Sequence, residues 1–188
     1  MKLLSKGNSK LHKSIGIFDI PAGMETCGRT CNSCYAIKAQ VRFPLVTAKR
    51  NRNLAHSKTK EFQEVIKEDL GKISVVRVHS SGDFFSQEYV DSWYSIAKSN
   101  PQVTFYAYTK RYHEFTFSKL KGLSNFVLHN SLLDKDQVNY SKYPEVLQEK
   151  YGGFICPATT GEAKGCGHDC NFCMIKDNEG IPILFKQH

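Results

Sequence analysis

The sequence predicts an α/β fold: an open, partial βα barrel that carries a cysteine-rich, metal-binding extension at its C-terminal end. Three observations support this. β-branched and aromatic runs alternate with stretches of helical period, which is the pattern of βα units around a parallel sheet. The chain has 188 residues, and its four or five such units are too few for a closed eight-fold barrel of ~250 residues. From Cys156 onward the chain becomes glycine-rich and holds four of its seven cysteines. The expected organisation is therefore a barrel-like part over residues 1–155 and an extension over residues 156–188, packed as one unit.

The elements follow in order. Residues 15–20 form a short apolar strand ended by Pro21, and Gly23 and Gly28 place the next cysteines in a loop. Residues 35–43 suit a helix, cut by Pro44. Residues 45–56 read as a second, strongly basic helix. Phe62, Val65, Ile66 and Leu70 lie on one face of a third, closed by Gly71. Residues 73–78 are strand-like and leave through the polar segment His79-Ser80-Ser81-Gly82-Asp83. Ser86 is placed to cap a helix whose apolar stripe is Tyr89, Val90, Trp93, Ile96 and Ala97. Strands at 103–108 and 125–129, a short helix near 115–120, a helix at 143–151 and a last short strand at 153–155 complete the expectation.

Composition sets the class. Apolar residues make up 40% and charged residues 23%, as in a globular domain able to bury a core. No apolar run reaches the roughly 18–20 residues that span a bilayer. The basic, polar N-terminus lacks a secretory apolar core, so a cytoplasmic setting is expected. Cysteine clusters in a reducing compartment point to metal or catalysis rather than to disulfides.

Charge is uneven. Of the formal +8, residues 1–60 contribute 12 Lys or Arg against Asp19 and Glu25 alone. The basic residues Lys38, Arg42, Lys49, Arg50 and Arg52 concentrate this charge over 38–52 and suggest nucleic acid or another anionic substrate, with contacts that weaken in salt. A solvated helix face accounts for the same residues as well.

All seven cysteines fall into two constellations. Cys27-x3-Cys31-x2-Cys34 lies between the first strand and the first helix. Three close thiolates can hold three corners of a [4Fe–4S] cluster and leave one iron open. A zinc loop that borrows His56 or His79 is the alternative. The second constellation, Cys156, Cys166, Cys170 and Cys173, repeats the C-x3-C-x2-C core and adds a fourth thiolate. That count suits a closed auxiliary [4Fe–4S] cluster or a four-thiolate zinc. His168 is a spare ligand or an exposed loop histidine.

C-x3-C-x2-C after the first strand of a βα protein resembles the signature of the radical S-adenosylmethionine superfamily. The resemblance implies that Cys27, Cys31 and Cys34 hold a cluster whose open iron chelates S-adenosylmethionine. Reduction by an electron-donating reductase would then yield a 5′-deoxyadenosyl radical. It also implies that Gly82 and Asp83, with Ser81, receive the methionine part of the cofactor; Asn130, at the polar exit of a later strand, and Tyr35, which follows the third cysteine, complete the expected cofactor-binding set. Ser33 stands where that superfamily usually has an aromatic, whereas Phe172 precedes Cys173 in the second motif. Separately, the segments 79–86, 105–110 and Cys34-Tyr35-Ala36 resemble a small phage-encoded family called gene product eighty-eight, over about residues 15–175. Its phage origin would place the protein in a host cytoplasm. A non-catalytic iron–sulfur or zinc protein gripping nucleic acid through its basic half is the competing expectation.

Overall fold

The computed structural model describes residues 2–28, 34–134 and 137–187. The chain is a mixed α/β protein built on a parallel sheet. In order it runs through β1 (Ser5–Lys6), β2 (Ile15–Phe18), α1 (Met24–Cys27), α2 (Tyr35–Arg42), α3 (Pro44–Ser57), α4 (Phe62–Leu70) and β3 (Val75–Val78). There follow α5 (Gln87–Ser99), β4 (Thr104–Thr109), α6 (Ser118–Lys121), β5 (Phe126–Asn130), β6 (Tyr140–Ser141), α7 (Pro144–Tyr151), β7 (Phe154–Ile155), α8 (Pro157–Thr160) and β8 (Ile183–Lys186).

Among the described residues the main sheet has the order β1-β2-β3-β4-β5. Strands β2 to β5 are mutually parallel, and β1 is an antiparallel edge on β2. The sheet is open. β1 was not legible, because its two residues lie in a polar stretch. It is held there by Lys49 from α3, which donates to Ser5 Oγ at 2.6 Å. Leu3 and Leu4 beside it are buried against the helices.

The expected strand at 153–155 exists as β7 but does not extend this sheet. It pairs with β8, which also pairs with β6 in a small second sheet. The C-terminal segment is therefore more regular than its glycine content suggests. It supplies the middle strand of that sheet together with α8 and two 3₁₀ turns at Phe172–Met174 and Lys176–Asn178.

Helix boundaries follow local chemistry. Arg42 ends α2, and Pro44 opens α3 at a first-turn position where its missing N–H costs nothing. Ser86 caps α5 as expected, its hydroxyl accepting from the Tyr89 N–H at 3.2 Å. The helix expected near 115–120 is reduced to α6, one turn starting at Ser118.

The two faces of the sheet bury different chemistry. Phe18, Val76, Val78, Phe105, Ala107, Phe126 and Leu128 point to one side. They pack with Phe62, Ile66, Tyr89 and Trp93 from α4 and α5. Trp93 sits edge-on to Phe18 and Phe62 at 5.3 and 5.6 Å. The opposite face carries Ile15, Ile17, Tyr106, Tyr108 and Val127, and against it pack Cys156, Cys173 and Ile183 from the C-terminal segment. Strand register places Ile17, Arg77, Tyr106 and Val127 side by side in one row of that face. Among the described residues no helix is long and apolar enough to cross a membrane.

Candidate functional site

Because β2 to β5 run the same way, their carboxyl ends share one edge, where open α/β sheets bind ligands. The polar residues picked out in the sequence do gather there. Asp19 follows β2, His79 to Asp83 follow β3, Lys110 and Arg111 follow β4, and Asn130 closes β5. Thr26, next to the first cysteine, reaches the same edge, where its carbonyl accepts from Arg111.

Asp19 organises this edge, although its place as a lone carboxylate at the end of the first strand was the only sequence signal for it. Its carboxylate accepts from the Ser80 N–H at 2.7 Å, the Ser81 N–H at 2.9 Å and the Ser80 hydroxyl. Arg50 approaches its other oxygen at 3.9 Å. Asn53 donates to the Asp19 carbonyl at 2.8 Å and to the Leu3 carbonyl at 3.1 Å. The Asp19 carboxylate thus ties the exit of β3 to α3, and Asn53 of α3 ties the Asp19 backbone to the N-terminal edge.

The expected cofactor contacts are drawn into similar internal duties. Asp83 is buried and accepts three hydrogen bonds: from Thr109 Oγ1 at 2.7 Å, the Phe84 N–H at 2.8 Å and the Lys110 N–H at 2.9 Å. Burial pushes its carboxyl up to about 6 despite those donors. Ser81 donates to the Ile20 carbonyl at 3.0 Å. Gly82 has φ +82°, and a Cβ there would lie 2.3 Å from Ile20 Cγ1 and 3.0 Å from the Pro21 carbonyl oxygen. The close approach that Gly82 permits is therefore to the chain's own 20–21 segment. Asn130 Oδ1 accepts from the Leu132 N–H at 2.9 Å, a turn contact. Tyr35 is 68% exposed, and its hydroxyl donates to the Ser80 carbonyl.

Two of the three N-terminal cysteines can be followed; Cys31, like Ser33, lies outside the described residues. Cys27 ends α1 and Cys34 precedes α2. The two thiols are close enough to influence each other, and Cys27 also feels the Asp83 carboxyl. Burial raises the Cys27 thiol above its ordinary range. Arg111 fastens this loop to β4. It donates to the Thr26 and Phe84 carbonyls at 3.3 and 3.2 Å and pairs with Glu114 at 2.7 Å.

Of the two histidines considered as a fourth ligand, His79 has a partner inside the fold. His79 is buried among Phe84 and Tyr89 with φ +65°, and its Nε2 bonds the Tyr89 hydroxyl at 2.8 Å. Burial and Arg77 hold it down at about 3, so it is neutral. His168 is exposed, edge-on to His12 at 4.7 Å.

The four C-terminal cysteines lie over the sheet face opposite the helices. Cys166 is anchored to the N-terminal segment, its N–H donating to the Lys10 carbonyl at 3.0 Å, and Cys156 to β8 through the Leu184 carbonyl at 2.8 Å. The Cys173 carbonyl meets His129 Nε2 at 3.0 Å. Cys156 interacts electrostatically with Cys166, Cys170 and Cys173, so the four thiols share one neighbourhood. Burial lifts Cys173 up to about 12, offset in part by the Tyr108 hydroxyl. Among the described residues no three His, Cys, Asp or Glu side chains already form a group able to hold a metal ion. The donor chemistry still fits a thiophilic centre: four cysteines, a cationic Arg77 beside them, and a buried Tyr106 hydroxyl with no partner. Arg77 is a lone charge in the apolar strand Val75-Val76-Arg77-Val78, and that isolation is its signal in the sequence.

The basic segment divides. Lys38, Arg42 and Arg52 are exposed. Arg50 is buried, donating to the Ala36 carbonyl at 3.0 Å and approaching Asp19, and so is not available to a phosphate. Lys49 is committed to Ser5, and burial lowers its ammonium below the usual range.

Comparison with known proteins identifies relatives. A family model described as Gene product 88 matches residues 2–179. The Gene 88 protein of Mycobacterium phage L5 is 35% identical over 89 residues, which is 47% of this chain and 35% of that protein. The Gene 88 protein of Mycobacterium phage D29 is 35% identical over 69 residues, 37% of this chain and 28% of that protein. The matched stretches thus span about a third of the curated relatives' length. No solved structure matches. The match over nearly the whole sequence places this chain in the Gene product 88 family.

Proposed function

We propose that this is an iron–sulfur enzyme of the radical S-adenosylmethionine type, with an open-iron [4Fe–4S] cluster on Cys27, Cys31 and Cys34 and a second centre on Cys156, Cys166, Cys170 and Cys173. The observation that carries the reading is positional. Cys27 and Cys34 flank a segment between the first parallel strand and α2, and Cys27 lies near Asp83 at the carboxyl edge of the sheet. The open parallel sheet is compatible with a partial βα barrel whose inner face is covered by the cysteine-rich extension.

Within this reading the cluster, when bound, would supply the electron that cleaves the sulfonium of S-adenosylmethionine. The chain's own residues do the positioning. Asp19 and Asp83 hold the 79–83 loop from both sides, and the Tyr35 hydroxyl donates to the Ser80 carbonyl of that loop. Arg111 pins the cysteine loop to β4. Asp83, with three donors already bound, acts as the anchor of this loop rather than as a free acceptor for an ammonium. A reductase would deliver the electron, and an anionic substrate, nucleic acid or a phosphorylated molecule, would be attracted by Lys38, Arg42 and Arg52.

Anaerobic purification tests the reading. It expects a brown protein with about eight irons per chain, from two four-iron clusters. It also expects a paramagnetic signal altered by S-adenosylmethionine, and 5′-deoxyadenosine on reduction. A colourless zinc protein would overturn it. So would a cluster signal that S-adenosylmethionine leaves unchanged. The exposed cations Lys38, Arg42 and Arg52 favour a second reading, a non-catalytic metal-binding module that grips nucleic acid. Zinc content with salt-dependent binding to single- or double-stranded DNA would support that one.

A further inference from the structure

Arg77 is the one charged side chain in the row that β2, β3, β4 and β5 present to the cysteine-rich segment. It is half-buried. Its Nε donates to the His79 carbonyl at 3.1 Å, and its guanidinium lies over the rings of Tyr108 and Tyr106 at 4.1 and 5.1 Å. Among the described residues no carboxylate pairs with it. The groups that face it from the packed elements are Tyr106 and Tyr108 of β4, Tyr35 of α2, and Cys166 and Cys173 of the C-terminal segment. Arginine stays charged in proteins; the two tyrosine rings give it cation–π contacts but no counter-ion. Next to it the Tyr106 hydroxyl is fully buried with no partner, which is costly.

Both anomalies disappear if the cysteines carry negative charge. Thiols lose their protons when they bind a metal. Four thiolates on a zinc ion, or on an oxidised four-iron cluster, leave a dianion in the cavity. We propose that Arg77 is the built-in counter-charge of a centre held by Cys156, Cys166, Cys170 and Cys173, and that Tyr106 and Tyr108 are its hydroxyl donors toward the sulfurs. This rests on the reading that those four cysteines hold one centre; it does not depend on S-adenosylmethionine or on the first cysteine motif. The proposal also accounts for the polar groups on this otherwise apolar face: the row supplies Arg77 and Tyr106, and the next row Tyr108, where a thiolate cage needs them. Outer groups of this kind orient and stabilise metal ligands, and losing one typically costs 10–100-fold in metal affinity.

The test compares the wild type with Arg77→Met, Arg77→Lys and Tyr106→Phe. Each is loaded with zinc, and in parallel with iron and sulfide under anaerobic conditions. Occupancy is read as protection of the four C-terminal cysteines from alkylation during a chelator challenge, by peptide mass spectrometry. Thermal melting is followed with and without metal. In the metal-free protein Arg77→Met should melt at or above the wild-type temperature, because an uncompensated charge is removed. In the loaded protein the same variant should lose protection at roughly tenfold lower chelator concentration. Arg77→Lys should recover most of the protection, and Tyr106→Phe should lose a smaller part. Wild-type protection in Arg77→Met overturns the role of Arg77. An Arg77→Met protein equally destabilised with and without metal, or unfolded without it, also overturns that role by making the arginine structural. A wild type that protects none of the four cysteines with either metal overturns the four-cysteine centre itself, and Arg77's role with it.

Discussion

The two faces of the central sheet are made by the same four strands, yet they are chemically opposite. The face under α4 and α5 is closed with Phe18, Val76, Val78, Phe105 and Phe126 against Trp93, Tyr89 and Phe62. The face under the C-terminal segment carries Arg77, Tyr106, Tyr108 and His129 beneath four cysteines. On the first face the apolar side chains complete each other's packing. Each face keeps buried polar atoms without a hydrogen-bond partner: Trp93 Nε1 on the first, the Tyr106 hydroxyl and His129 Nδ1 on the second. What separates the faces is the Arg77 guanidinium, which has no charged counterpart among the strand residues of the first face and lies beside the cysteines on the second.

The largest effect expected from breaking this division is on the helix side. Trp93→Ala should remove the ring that joins Phe18, Phe62 and Phe105 and cost ~3–5 kcal/mol. Urea or thermal melting should show the same loss with and without metal. If the loss depended on metal, the two faces would not be independent.

Asp83, where the edge loop meets β4, gives the next effect, and its sign is unusual for a carboxylate. Its folded pKa, about 6, lies above the ordinary value of 3.8. The folded state therefore holds the proton more tightly, and the stability Asp83 contributes is greatest below about pH 4 and is lost as pH rises to about 6. Across that window the stability of the wild type relative to Asp83→Asn should fall by up to about 3 kcal/mol. Paired chemical denaturations at pH 4 and pH 7 measure it; a flat difference would mean that the three donors to Asp83 cancel the effect of its burial.

The smallest effect lies on the cysteine side. In metal-free protein Tyr106→Phe deletes a buried hydroxyl that has no partner, and it should be neutral or stabilising by about 1 kcal/mol. A clear destabilisation in a melting experiment would mean that the hydroxyl already has a partner in the metal-free state.

Much of this was legible in the sequence for a simple reason. β2 to β5 and the helices between them alternate period two with period 3.6, and those periods are set by local backbone geometry. The Ser86 cap, the stop at Pro44 and the apolar stripe of α5 belong to the same local class. The cysteines were legible because thiol spacing is visible without a fold. What could not be read depended on partners far away in the chain. β1 exists only through β2 and Lys49. β7 and β8 form a separate small sheet because segments more than 25 residues apart meet. The apparent ligand residues Ser81, Gly82, Asp83 and Asn130 have mostly internal partners, and Arg50 turned inward to Ala36 and Asp19.

The sequence by itself determined the class of fold, the order of its parallel strands and helices, and the grouping of its cysteines into two constellations. Each of these is encoded by residues within about one element of each other. Only the tertiary structure decided which polar groups are spent on the chain itself and which are left facing the cysteines. That allocation follows from strand register and from which segment covers which face of the sheet. It is why Asp19 and Arg77, each a single charge beside or within an apolar strand, emerge as the organising residues of the molecule.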